Sequence, residues 1–87
     1  NPLSLNSGTG TTLQYNVAED SHIRLSVRNM LGQEVATLVD APMAAGSYNA
    51  TWYPTGIPAG NYIATLVAET AASGNAEIRH LQMQIVR

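Results

Sequence analysis

Eighty-seven residues are enough for one domain, since single domains run from about 50 to 250 residues. The chain has no cysteine, which excludes disulfide scaffolds, thiolate-held zinc or iron–sulfur sites and thiol catalysis. Four arginines, no lysine and six acidic residues give a net charge of −2, with only 11% of residues charged. A basic footprint for nucleic acid or anionic lipid is therefore missing.

Taken in chain order, the apolar pattern has a period of two. Leu13, Tyr15 and Val17 alternate with Thr12, Gln14 and Asn16, and the polar break Glu19-Asp20-Ser21 ends that segment. Ile23, Leu25 and Val27 then alternate with Arg24, Ser26 and Arg28, the signature of a half-buried strand. Leu31-Gly32-Gln33 predicts a hairpin turn with Gly32 in the left-handed region. Pro42 to Gly46 reads as a turn, too tightly bounded for a helix. Tyr48, Ala50 and Trp52 resume the alternation, Pro54 to Gly60 breaks it, and Tyr62, Ala64, Leu66 and Ala68 restore it. Ser73-Gly74-Asn75 predicts the tip of a second hairpin, before Leu81, Met83 and Ile85 alternate with Gln82 and Gln84. Turns recurring every ~8–12 residues predict an all-β antiparallel sandwich of six or seven strands.

The parity rule predicts a core of Leu13, Tyr15, Val17, Ile23, Leu25, Val27, Leu38, Tyr48, Trp52, Tyr62, Leu66, Leu81 and Met83. Ala76 and Ile78 have the opposite parity to Leu81, Met83 and Ile85. A strand that buries both sets needs an extra residue, so a bulge is expected near Arg79-His80.

Chemistry-bearing residues are sparse. His22 and His80 both fall on the polar parity of their strands, and no Ser, His and Asp set is placed to converge. The acids Glu19, Asp20, Glu34, Asp40, Glu69 and Glu77 lack the loop spacing of a calcium site. Gly8-Thr9-Gly10 precedes no helix and so builds no phosphate cradle. Asn49-Ala50-Thr51 has the form of a glycosylation sequon. No catalytic residue, metal or cofactor is expected. No apolar run approaches the ~18 residues of a membrane-spanning helix, and no basic-then-apolar leader opens the sequence. Trp52 reads as core and Tyr53 as exposed, and a lone exposed ring leaves a carbohydrate-binding module as the weakest functional alternative. The last segment, with neutral Gln82 and Gln84 on one face, is suited to pairing with another sheet.

Asn1-Pro2, Thr12 to Tyr15 with Glu19, Ile23 to Val35 running into Leu38-Val39-Asp40, Ala45-Gly46-Ser47-Tyr48 with Trp52, Pro58 to Tyr62, and Arg79 to Arg87 form a set of blocks. Together they resemble a known family, the C-terminal sorting domains of type IX secretion substrates and the related Ig-like module of the flagellar hook-capping protein. Tyr53 stands where the family often has Asp, and His80 where it often has Lys. The resemblance implies a non-catalytic, Ig/fibronectin type III-like antiparallel β-sandwich of about seven strands, filling residues 1–87 at the end of a larger exported protein. It further implies passage through the periplasm of a Gram-negative bacterium to the surface or medium, with an outer-membrane translocon protein and the upstream cargo domain as partners. Arg79, Leu81, Gln82, Met83, Gln84, Ile85 and Arg87 are the candidate partner-binding residues. Self-assembly through edge strands, as a fibre subunit or spacer, is the alternative from a different functional class.

Overall fold

The computed structural model describes residues 3–6, 11–53 and 56–86. Its strands are β1 (Leu3–Asn6), β2 (Thr11–Val17), β3 (Ser21–Asn29), β4 (Glu34–Met43), β5 (Gly46–Trp52), β6 (Gly60–Thr70) and β7 (Ala76–Val86), with no helix among the described residues. Two sheets form, one in the order β1-β7-β6-β3-β4 and the other pairing β2 with β5. The antiparallel framework is carried by the six strands β2 to β7, and the short β1 adds to it in parallel, Leu3 opposite Met83 through Asn6 opposite Val86.

The two-stranded sheet contributes Leu13, Val17, Ala50 and Trp52 to the core, and the larger sheet Ile23, Leu25, Val27, Tyr62, Ala64, Leu66, Met83 and Ile85. Trp52 meets Tyr62 edge to face, ring centroids 6.3 Å apart. The alternation thus places most of the core correctly. Tyr15, Tyr48, Leu38 and Leu81 are only half-buried. The two tyrosines stack on each other at the rim, 5.6 Å between centroids.

Two sequence expectations are corrected. No bulge occurs near Arg79-His80, because β6 and β7 pair without interruption from Gly60 opposite Ile85 to Glu69 opposite Ala76. The parity conflict is settled by leaving Ile78 outside, 59% exposed. Bulges occur instead in the β3–β4 pair, where Leu38 and Val35 are skipped. Val35-Ala36 and Leu38-Val39 are adjacent apolar pairs, which an ideal period of two cannot bury together. Each bulge lets both members of a pair lean on the core. Finally, Pro42 lies within β4 and not in a turn. This strand is outermost in its sheet, where a missing backbone N–H breaks no ladder.

The turns hold as their chemistry predicts. Gly32 has φ of 85°, and Asn29 Oδ1 accepts from the Leu31 and Gln33 amides at 3.0 Å. At the other end of the molecule, Asp20 Oδ1 accepts from the Ala45 amide and its carbonyl from the Ala71 amide, tying three turns together.

Two strand entries use one device. In Ala45-Gly46-Ser47-Tyr48-Asn49-Ala50-Thr51-Trp52 and Ala59-Gly60-Asn61-Tyr62-Ile63-Ala64-Thr65-Leu66, the same residue types recur at Ala, Gly, Tyr, Ala and Thr. Both glycines take a positive φ, 154° and 152°, which side chains disfavour. Each tyrosine hydroxyl donates 2.6 Å to the carbonyl four residues upstream, Tyr48 to Ala44 and Tyr62 to Pro58. Each motif then buries a small alanine followed by a large apolar residue.

Candidate functional site

Strand β7 has two different rows of side chains. Pairing with β6 places Glu77, Arg79, Leu81 and Met83 opposite Ala68, Leu66, Ala64 and Tyr62, on the face that meets the small sheet. Ala76, Ile78, His80, Gln82 and Gln84 fall on the outer face.

The candidate partner-binding residues divide accordingly. Met83 is fully buried and Ile85 is 2% exposed, so both side chains hold this fold together. Leu81 is half-buried, while Gln82 and Gln84 are exposed. Arg79 is exposed and its Nε donates to Glu77 Oε1 at 2.5 Å. Over Met83 to Ile85 the strand has β6 on one side and β1 on the other, so its backbone is already paired there on both edges. Arg87 lies outside the described residues, as do Asn1-Pro2, Gly8-Thr9-Gly10 and Pro54.

Across the outer face the remaining polar groups are tied to one another. His22 Nε2 donates to Asp40 Oδ1 at 2.6 Å, and Thr65 Oγ1 is hydrogen-bonded to His80 Nδ1 at 3.1 Å. Arg24 Nη2 donates to Glu34 Oε1 at 2.7 Å and Thr37 Oγ1 to Glu34 Oε2 at 2.9 Å. The Arg24 hydrogen bond first, then that of Thr37, and then the charges of Arg24 and Arg28, hold the Glu34 carboxyl below its ordinary range. A depressed folded-state value means that Glu34 contributes stability above its unfolded value and loses it as pH falls through the folded one. Melting curves of the parent and Glu34→Gln should therefore differ at neutral pH and converge as the pH drops below about 4.5, the ordinary value.

Both histidines are exposed, His22 bonded to Asp40 and His80 to Thr65. Among the described residues no three His, Cys, Asp or Glu side chains are grouped to hold a metal ion. Trp52 is in the core, Tyr15 and Tyr48 face each other, and Tyr53 is exposed. The same outer face presents the exposed side chains of Gln82 and Gln84.

One feature escapes a reading of periodicity. The small sheet leaves a cleft of about 530 Å³ between β2 and β7, floored by Leu13, Leu25, Leu66 and Leu81 and bordered by Arg79 and His80. Its existence depends on which strands lie opposite one another, which alternation within a strand does not encode.

Comparison with protein-family models and with curated proteins finds no match to this chain.

Proposed function

We propose that this chain is a non-catalytic sorting domain of the type IX secretion kind, of Ig/fibronectin type III-like architecture, which carries a larger protein to the cell surface or medium of a Gram-negative bacterium. The observation that carries the reading is the two-faced last strand. Its inner row, from Leu81 to Ile85, is anchored in the core, so the outer row of His80, Gln82 and Gln84 is presented in one fixed geometry. A translocon protein would read that row by hydrogen bonding to its side chains, with neighbouring arginines adding orientation.

Two further observations support the reading. The sequence blocks that resemble the family coincide with structural devices, namely the Leu31-Gly32-Gln33 turn, the Gly46-to-Trp52 entry and the Gly60-to-Tyr62 entry. The Tyr62 hydroxyl bond to a carbonyl four residues upstream, near the start of its strand, is the tyrosine-corner arrangement typical of Ig-like sandwiches.

The test is a fusion of this domain to the C-terminus of a periplasmic reporter, expressed in a type IX-competent bacterium and in a translocon-deficient strain. The reading expects reporter outside the cell only in the competent strain. Periplasmic retention in both strains would contradict it, and would favour the structural or adhesive role.

A further inference from the structure

A second surface of β7, independent of the sorting reading, is its uncovered edge. Strand β1 pairs only with Met83 to Val86, and among the described residues no strand lies beside the outer edge of Ala76 to Gln82. Every residue from Ala71 to His80 is exposed. An unpaired strand edge is a template for another strand.

The side chains along this edge specify what can pair with it. Glu77 and Arg79 sit on the inner face, with Ile78 between them on the outer face at 59% exposure. We propose that this edge pairs antiparallel with the same edge of a second copy, about a twofold axis centred on Ile78. In that register Glu77 of each copy lies opposite Arg79 of the other, so the interface holds two reciprocal ion pairs on one face. Ile78 meets its own counterpart on the other face, and Ala76 lies opposite His80. Directly opposed residues in antiparallel strands are close enough for such pairs to act.

The register is selected by charge. Centring the axis on Glu77 or on Arg79 sets like charges against each other, and a one-residue slip turns the inner face of one copy outward. Charges that point inward on a sheet edge normally prevent pairing with foreign strands. Here the same charges are self-complementary, so the edge accepts its own sequence and rejects a neutral one. The contact is isologous and closes at two copies, which separates it from an open-ended fibre. An edge of this length buries little surface, so the dimer is weak and concentration-dependent.

Sedimentation velocity over a concentration series tests the proposal. The parent should show reversible dimerisation. Arg79→Glu and Glu77→Arg, each of which sets like charges opposite one another at both pairs, should each weaken it by about tenfold or more. The double exchange Glu77→Arg with Arg79→Glu restores both pairs and should return the dimer constant to within about threefold of the parent. Thermal melts of all four proteins check folding, which substitutions on an exposed edge leave intact. The proposal is overturned if the parent stays monomeric throughout, if either single variant dimerises like the parent, or if the double exchange fails to rescue.

Discussion

Trp52→Ala should destabilise the domain by about 3–5 kcal/mol, the cost of a large cavity in a packed core. Trp52 is the largest side chain that β5 places between the two sheets, and it is 7% exposed. Its ring meets Tyr62, whose hydroxyl is bonded to the Pro58 carbonyl, so truncation also removes a support from that corner. Small domains are stable by only about 5–15 kcal/mol, so the loss is a large share of the total. Tyr53, the next residue, is 63% exposed and points the other way. Tyr53→Ala should move the midpoint little, since exposed substitutions usually stay within about ±0.5 kcal/mol. Urea melts of the two variants check both statements. An unchanged midpoint in Trp52→Ala would refute the core assignment.

Met83→Glu and Gln82→Glu make a second contrasting pair, this time in β7. Met83 is fully buried in the core opposite Tyr62, whose hydroxyl is already bonded to the Pro58 carbonyl. A charge placed there either stays desolvated or forces the strand open, and unpaired buried charges are among the largest single-mutation penalties, above about 4 kcal/mol. That is enough to leave the chain largely unfolded. Gln82 faces solvent one residue away, so Gln82→Glu should melt with the parent. Circular dichroism separates the outcomes. Equal melting of both variants would mean that the two rows of β7 are assigned to the wrong faces.

Much of this architecture was legible because burial on a sheet has a period of two. Ile23, Leu25 and Val27, or Tyr62, Ala64 and Leu66, mark their inward face without ambiguity. Strand β4 was not legible in that way. Its apolar pairs Val35-Ala36 and Leu38-Val39 fit no single period, and only the bulges opposite β3 reconcile them. Ile78 misled for the opposite reason. An apolar residue on a strand reads as a core residue, yet this one lies on the outer face beside an open edge. Ala50 and Ala64 follow the same alternation and are buried, though their small side chains kept them off the expected core. The repeated Gly-x-Tyr entry was present in the residues throughout. Its meaning became visible only when both tyrosine hydroxyls were seen to reach the carbonyl four positions back. For the candidate site, alternation correctly put Gln82 and Gln84 in solvent. It could not show that β1 covers the edge of Met83 to Val86, because the partner of a strand is a property of topology.

The sorting account is tested most directly by the exported fraction of the reporter fusion when the outer row of β7 alone is changed. Gln82→Glu with Gln84→Glu alters two exposed groups and leaves Met83 and Ile85 in place, so folding should survive. The measurement is the ratio of extracellular to periplasmic reporter in a type IX-competent strain, for the parent domain and for this folded variant. The account predicts a clear fall in that ratio for the variant, with its melting midpoint unchanged. Equal export of the two folded fusions would contradict it.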